Sequence, residues 1–136
     1  MADCVFCKIV AGQIPAARLI ETDKVLAFLD IAPVNPGHAL VIPKRHAETL
    51  LDLRQEELHV LSFVTRRVAA AVKAAVGADG LNILQNNVEV AGQLVPHVHF
   101  HVIPRHDDDG FKLGWRQGEY GEGEMDEMLA SIRQRL

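Results

Sequence analysis

The sequence lacks the features that would place it in several large protein classes. No apolar run approaches the roughly 18 residues that a membrane-spanning helix needs. The N-terminus has no basic region followed by an apolar core, so no signal peptide is expected. The formal net charge of −4 disfavours non-specific binding to nucleic acid or to an anionic membrane. We therefore expect a cytoplasmic protein with no nucleic-acid or membrane partner.

Cysteine is scarce as well. The chain of 136 residues has two cysteines, which lie close together and cannot form a disulfide framework. No internal repeat, low-complexity segment or linker is visible. The length therefore predicts one domain with a core of its own.

Histidine stands out against this background. The stretch from His97 to Ile103 reads His-Val-His-Phe-His-Val-Ile, and its period of two predicts a β-strand with His97, His99 and His101 on one face. Same-face neighbours on a strand lie about 6.6 Å apart, so the outer two are about 13 Å apart and share one metal poorly. An adjacent pair could share one. A merely polar outer face is disfavoured, because each imidazole can act as donor, acceptor, nucleophile or ligand near neutral pH.

Cys4-Val5-Phe6-Cys7 forms a C-x-x-C pair, which serves either thiol redox chemistry or zinc binding. The redox form needs a strand before the first cysteine, and only three residues precede Cys4. Zinc is the preferred interpretation, although two thiolates supply only half of a tetrahedral site. Histidines elsewhere are the obvious source of the other half, and a pair of buried or idle thiols is the alternative.

Hydrophobic periodicity predicts five strands and one long helix. Strands are expected at Ala17–Glu21, Val25–Leu29, Ala39–Ile42, Leu81–Gln85 and along the histidine stretch. A long amphipathic helix is expected at Gln55–Val76, and shorter helical segments at Lys8–Gln13, Ala47–Leu53 and Met125–Leu136.

Three polar features flank these elements. Asp30 follows the second strand, where its carboxylate can accept two hydrogen bonds from a diol such as ribose or serve as a turn or cap residue. His38 and His46 bracket the third strand, and each alone is more often structural. The loop of residues 86–96 contains Ala91-Gly92-Gln93, whose glycine and neutral donors suit phosphate oxygens.

Together these motifs resemble the histidine triad (HIT) family. Its signature is His-φ-His-φ-His-φ-φ with φ apolar, which residues 97–103 match. Residues 30–46 resemble its second block, and Asn86 with residues 91–93 resembles its phosphate loop. The C-x-x-C start resembles the zinc-containing bacterial and archaeal members. The chain is similar to the small histidine triad nucleotide-binding proteins and the dinucleoside polyphosphate hydrolases.

The resemblance implies a fold and an assembly. It implies one HIT domain over residues 1–136, with a catalytic core at about 4–105 and a C-terminal tail at 106–136. The expected protomer is α+β, with about five antiparallel strands packed against one long helix and with short N- and C-terminal helices. A homodimer is expected from the resemblance alone.

The resemblance also implies roles for individual residues. His99 would attack the α-phosphorus of a nucleotide and form a nucleotidyl-histidine that water hydrolyses. His101 would neutralise phosphate oxygens, and His38 would lie near the phosphate or leaving group. The nucleotide contacts would be Asp30 at the ribose, Ile31 and Phe28 near the base, and Asn86, Gly92 and Gln93 around the developing charge.

A structural zinc and a substrate class complete what the resemblance implies. The zinc ligands would be Cys4, Cys7, His46 and His97, and no catalytic metal is expected. The substrates would be phosphoramidates or dinucleoside polyphosphates of adenosine or guanosine, cleaved to a nucleoside monophosphate. Leu94 departs from the family, since many members carry Ser or Thr there.

Two functions of other classes stay open from the sequence. A zinc hydrolase would use His97 and His99 to hold a catalytic metal whose bound water attacks the substrate. A nucleotide-binding regulatory or interaction module would keep residual catalysis only.

Overall fold

The computed structural model describes residues 3–136, and its centre is a five-stranded antiparallel sheet. The strands are β1 (Arg18–Glu21), β2 (Val25–Leu29), β3 (Ala39–Pro43), β4 (Gly80–Gln85) and β5 (Phe100–Arg105). The helices are α1 (Val5–Val10), α2 (Gln55–Val76) and α3 (Glu124–Arg133), with single 3₁₀ turns at Leu50–Asp52 and Glu89–Ala91. The strand order is β1-β2-β3-β5-β4. The α+β class, the five antiparallel strands and the long helix are confirmed.

The long helix α2 covers one face of the sheet. Its apolar residues recur every three or four positions and form one stripe, as predicted. The stripe packs on inward-facing residues of β2, β3 and β5, and this core comprises Val25, Ala27, Ala39, Val41, Leu61, Val64, Val68, Ala69, Val72 and Val102. The helix ends at Gly77, which takes the left-handed conformation with φ of 60°.

The N-terminal helix α1 covers the opposite face. It begins earlier than predicted, because Cys4 is its N-cap and accepts a hydrogen bond at Sγ from the Cys7 N–H. Phe6 and Ile9 of α1 pack on apolar residues of β2 and β3. His101 pairs with Leu40 of β3 and therefore shares this face of the sheet.

The histidine stretch departs from the strand predicted at residues 97–103. Val98 donates its N–H to the Ala47 carbonyl at 2.8 Å, and β5 begins at Phe100, where pairing with β3 and β4 starts. The strand continues through Pro104 to Arg105, beyond the predicted stretch. Pairing with β3 stops at Val102, so Pro104 has only β4 beside it and is tolerated there.

The segment predicted as a short helix at 47–53 is a loop with one 3₁₀ turn. Thr49 is the N-cap of this turn, and its backbone N–H and hydroxyl both donate to the Asp52 carboxylate. Within residues 3–136 no helix is long and apolar enough to cross a membrane.

Candidate active site and metal centre

Two cysteines and two histidines from distant parts of the chain meet beside α1. Cys4 Sγ lies 3.4 Å from His97 Nδ1, and Cys7 Sγ lies 3.4 Å from His46 Nδ1 and 3.6 Å from His97 Nδ1. The four candidate ligand atoms all lie within 4.8 Å of one another. We call Cys4, Cys7, His46 and His97 the metal cluster.

The metal cluster fits a tetrahedral zinc ion. Bonds of about 2.3 Å to sulfur and about 2.0 Å to nitrogen at tetrahedral angles would separate a sulfur from a nitrogen ligand by about 3.5 Å. Three of the four sulfur–nitrogen distances in the cluster are 3.4, 3.4 and 3.6 Å. Two thiolates with two imidazoles are also a donor set typical of structural zinc sites.

His97 is oriented for such a role. Its ring is fully buried and donates a hydrogen bond from Nε2 to the Pro43 carbonyl at 2.8 Å. Because a carbonyl only accepts, the proton is on Nε2 and the lone pair of Nδ1 faces the cysteines. Burial lowers the pKa of His97 to about 4, so the ring is neutral at pH 7. Burial also raises the pKa of the Cys7 thiol, an effect that a bound cation would oppose.

His46 reaches the cluster from the loop between β3 and α2. The preceding residue, Arg45, donates from Nη2 to Glu57 Oε2 on α2 at 2.7 Å and to the Asp52 carbonyl at 3.0 Å. This pair holds the loop against the helix and lowers the pKa of Glu57 to about 2. Lys44 and Arg45 are both in ion pairs, with Glu21 and Glu57 respectively.

His99 presents one defined nitrogen. Its Nδ1 lies 2.7 Å from the backbone carbonyl oxygen of His97 and donates to it. The lone pair of His99 is therefore on Nε2, the nitrogen available for nucleophilic attack. The ring is 5% exposed, and Phe6 packs edge-on against it with ring centroids 5.2 Å apart. The residue that offers a ligand to the metal cluster thus also orients His99 through its backbone.

His101 and His38 form a directed chain of hydrogen bonds. The Val34 N–H donates to His38 Nδ1 at 3.0 Å, so the proton of neutral His38 is on Nε2. That Nε2 lies 2.9 Å from His101 Nδ1 and donates to it. His101 must then carry its own proton on Nε2, where it can be donated to a ligand.

The His38 and His101 rings are both neutral at pH 7. Burial, with smaller contributions from His99 and His38, lowers the pKa of His101 to about 4. Burial also lowers the pKa of His38, and the Asp30 carboxylate opposes this because its Oδ2 lies 3.6 Å from His38 Nε2. The ligand atoms of Asp30, His38 and His101 lie within 4.8 Å of one another. We call these three residues the proton cluster.

An apolar cavity of about 340 Å³ opens beside His99 and His101. Its wall is formed by α1, the segment after it, β2, and Gly92, Leu94 and Val95. Among the predicted nucleotide contacts, those that line the cavity are Phe28, Asp30, Ile31 and Gly92. Asn86 and Gln93 do not line it. The size and apolar lining suit a planar base, and His99 and His101 belong to the lining.

The residues expected at the nucleoside occupy different environments. Phe28 is buried in the wall, whereas Ile31 is 99% exposed at the mouth. Asp30 accepts the Ala32 N–H at Oδ1 at 2.9 Å and directs Oδ2 toward His38. Asp30 therefore combines the two predicted roles. Its Oδ1 stabilises the turn, and its Oδ2 is the oxygen predicted to accept from a ligand. Leu94, where many relatives carry a hydroxyl, also lines the cavity and is 87% exposed.

The loop of residues 86–93 is held by its own side chains. Gly92 has φ of 95°, and an added Cβ would lie 3.3 Å from Asn86 Nδ2. Gln93 accepts the Val88 N–H at Oε1 and donates from Nε2 to the Glu48 carbonyl. Val88 has φ of 73°, which for a β-branched residue costs of order 1–3 kcal/mol.

Three backbone groups act in the site. A neutral nucleophile needs an acceptor, often a backbone carbonyl, for its other ring nitrogen, so such a group was expected at His99. The groups at His97 and His38 were not predicted. The Pro43 carbonyl accepts from His97, and the His97 carbonyl accepts from His99. The Val34 N–H donates to His38. Each fixes which nitrogen of an imidazole carries the proton. Because every residue has such groups, no sequence signal could have identified those at His97 and His38.

The geometry also separates His97 from His99. Their side chains serve different partners, since the His97 ring faces the cysteines while His99 faces the cavity. Of the two metal-competent clusters in residues 3–136, neither contains His99. The zinc-hydrolase alternative, which needs both rings on one ion, is not supported by this arrangement.

Comparison with known proteins agrees with the fold and the site. The HIT domain family model matches residues 11–108. An adenosine 5'-monophosphoramidase of Schizosaccharomyces pombe is 47% identical over 113 residues, which cover 82% of each chain. A HIT family crystal structure from Bacillus subtilis matches with a TM-score of 0.93 at 42% identity, covering 98% of this chain and 97% of that one.

A zinc-bound histidine triad family protein from Mycobacterium smegmatis matches with a TM-score of 0.76 at 38% identity, covering 99% of each chain. The family match spans the whole sheet, the whole of α2, and both clusters except the two cysteines. On these grounds the chain belongs to the histidine triad, or HIT domain, family.

Proposed function

We propose that the protein is a nucleotide hydrolase or transferase that cleaves at the α-phosphate of purine nucleotides through a nucleotidyl-histidine on His99. The observation that carries the proposal is the tautomer of His99, whose proton is held on Nδ1 by the His97 carbonyl and whose Nε2 is left nucleophilic. The nearby donor from His101 and the apolar cavity beside both rings support it. The similarity to an adenosine 5'-monophosphoramidase makes adenosine phosphoramidates the first substrates to test.

The nucleoside would occupy the cavity. Phe28 and Ile31 would contact the base, and Asp30 Oδ2 would accept from a ribose hydroxyl. Gly92, together with Asn86 nearby, would bring backbone and amide groups of the loop toward the phosphate. In this arrangement the α-phosphate would lie beside His99 and His101, which also line the cavity.

The reaction then has two steps that balance. In the first, His99 Nε2 forms a bond to phosphorus, the bond from phosphorus to the leaving nitrogen or oxygen breaks, and that atom takes a proton from a solvent water while the neutral His101 donates a hydrogen bond to it from Nε2. In the second, another water attacks phosphorus, the bond from phosphorus to His99 breaks, and the proton lost by that water neutralises the hydroxide left by the first step. The His97 carbonyl stabilises the positive charge that His99 carries between the steps.

The metal cluster would hold a structural zinc. When bound, the ion would cross-link the N-terminal segment to the chain before β5 and add stability. The residues of the cluster act on catalysis through position, since His97 holds the cluster with its ring and His99 with its carbonyl.

We also propose a homodimer. The strand β4 is an edge of the sheet, and its Ile83 side chain is exposed. An edge strand offers unpaired backbone groups to another strand, and an apolar residue on it favours burial. Light scattering of the purified protein tests this part independently of activity.

The test of the activity is release of nucleoside monophosphate from adenosine phosphoramidate and from a dinucleoside polyphosphate. We expect wild-type turnover that survives brief chelation, and a loss of about 10³-fold or more in His99→Ala. His59→Ala, an exposed histidine on α2, is the matched control and should keep full activity.

Turnover that survives in His99→Ala and stops with chelator would contradict this mechanism and favour a metal hydrolase. Nucleotide binding without turnover of either substrate would favour a regulatory binding module. The faster of the two substrates assigns the leaving group.

A further inference from the structure

Gln93 is a buried polar residue whose two amide ends are both occupied. Its side chain is 6% exposed, with Oε1 2.7 Å from the Val88 nitrogen and Nε2 2.6 Å from the Glu48 carbonyl oxygen. It does not line the cavity beside His99. An amide satisfied in this way has little left to offer a phosphate.

The Oε1 end of the Gln93 side chain bonds to Val88, whose backbone is strained. Val88 has φ of 73° and ψ of 152°, a conformation that β-branched residues rarely adopt. Its N–H is held by Gln93, and its carbonyl accepts from the Ala91 and Gln93 N–H groups at 3.0 and 3.2 Å. These bonds close the loop between Asn86 and Gly92, and strain of this kind persists only where the surroundings enforce it.

The Nε2 end of the Gln93 side chain bonds to Glu48, in the segment that carries His46. Glu48 is two residues beyond that histidine, and Leu50 of the same segment donates to Asn87 Oδ1 in the loop at 2.7 Å. The Ala47 carbonyl accepts the Val98 N–H next to His99. One short segment therefore bonds to the loop twice and to the histidine stretch once.

We propose that Gln93 is a positioning residue that holds the loop of residues 86–92 at its working distance from His99 by clamping Val88 to Glu48. It makes no contact with the nucleotide, in place of the direct contact that the family resemblance implied. The inference rests on the proposed function, because the loop is the expected phosphate site.

The kinetic test uses Gln93→Met, which keeps the shape and removes both hydrogen bonds. We expect kcat/KM to fall about 10- to 100-fold, the effect of displacing a catalytic group by a fraction of an ångström to one ångström. Adding Val88→Gly should restore most of this loss, because glycine adopts positive φ without a clamp. A direct contact between Gln93 and substrate could not be restored in this way, so a double variant as slow as Gln93→Met overturns the proposal.

Thr65→Val is the matched control. Thr65 is also buried, and its hydroxyl donates to the Leu61 carbonyl within α2, on the far side of the sheet. Removing this bond should leave kcat/KM within about twofold. An equal loss in Thr65→Val would show a general effect of lost stability and would overturn the positioning role.

Hydrogen exchange of substrate-free protein gives a result that does not depend on activity or on folding of the Met variant. The Val88 amide should be protected in the wild type and should exchange faster in Gln93→Glu, where Oε2 faces the Glu48 carbonyl and loosens the clamp. An unprotected wild-type Val88 amide overturns the clamp. A protected amide in an inactive wild type overturns the proposed function and leaves the clamp standing.

Discussion

The metal cluster and the proton cluster have similar geometry and opposite chemistry. In each, the candidate ligand atoms lie within 4.8 Å of one another, and each contains two histidines. Distance alone would assign a metal ion to both. The clusters differ in one hydrogen bond. In each cluster, one imidazole bonds to the backbone through the ring nitrogen that points away from the cluster, and the direction of that bond is opposite in the two.

In the metal cluster, His97 donates from Nε2 to the Pro43 carbonyl, so an unprotonated Nδ1 faces the cysteines. In the proton cluster, His38 accepts at Nδ1 from the Val34 N–H, so a protonated Nε2 faces His101. A metal on His38 Nε2 would force the proton onto Nδ1, against the Val34 N–H. A backbone carbonyl behind an imidazole therefore prepares a metal ligand, and a backbone N–H behind it prepares a hydrogen-bond donor.

The two clusters are also connected through His99. Its Nδ1 donates to the His97 carbonyl, and its ring packs against His101 with centroids 4.9 Å apart. A change in the metal cluster can therefore displace the nucleophile, whereas a change in the proton cluster acts on the hydrogen bond that His101 donates. The predictions below test this division.

The largest effect is expected from Cys7→Ser. Loss of one thiolate should reduce bound zinc from about one per chain to near none and lower the free energy of unfolding by about 3 kcal/mol or more. Metal analysis and thermal unfolding measure both. His38→Ala, which removes a ring from the proton cluster, should leave the zinc content unchanged. Two zinc ions per wild-type chain, one of them lost in His38→Ala, would break the distinction between the clusters.

A smaller effect is expected from His38→Ala on turnover. Without the donor at Nε2, His101 no longer has a fixed tautomer, and kcat should fall about 10²-fold with little change in KM. His38→Gln should lose less, because an amide can accept from Val34 and donate to His101 at once. Equal rates in the Ala and Gln variants would show that the chain of hydrogen bonds plays no part.

Much of the fold could be predicted from the sequence where a pattern persists over many residues. Apolar spacing gave α2 its observed bounds, with Gly77 as the stop, and placed the first four strands within about two residues. The start of β5 was wrong by three residues. The alternation of histidine and apolar residues continues through His97 and His99, but Val98 bonds to the Ala47 carbonyl and lies outside β5.

The candidate site could be predicted in its side chains and not in its proton positions. Residue spacing supplied half of the metal cluster, and only the family resemblance supplied His46 and His97. The roles of the two clusters depend on the Pro43 carbonyl and the Val34 N–H. The direction in which these two backbone groups point depends on the local path of the backbone. Gln93 shows the reverse case, since its type suggested a phosphate contact while its burial commits both amide ends to the backbone.

A modest effect is expected from Asp30→Asn. The asparagine keeps an oxygen for the Ala32 N–H, so the turn should survive, and the lost carboxylate should raise KM about tenfold with a small change in kcat. The carboxylate also opposes the effect of burial on His38, so the pKa of that ring should fall further in the variant. NMR titration measures the pKa, and an unchanged KM would remove Asp30 from the nucleotide site.

The smallest effect concerns the pH dependence of the proton cluster itself. The pKa of His101 is about 4 in the folded protein, against 6.5 for an unperturbed ring, because burial and the neighbouring His99 and His38 disfavour its cation. Between these two pH values the unfolded chain binds more protons than the folded one, so stability should fall as the pH falls from 6.5 to 4 and stay level above 6.5.

Zinc-loaded protein is needed to isolate this ring, since metal-free His97 titrates in the same range. The His101→Asn variant should lose that part of the pH slope in thermal unfolding, and the His101 ring signal of the wild type should not titrate above about pH 5. A His101 ring that titrates near 6.5 would mean that it is charged over part of the working range. His101 would then bind phosphate as a cation, and the neutral relay from Val34 through His38 would not set its proton.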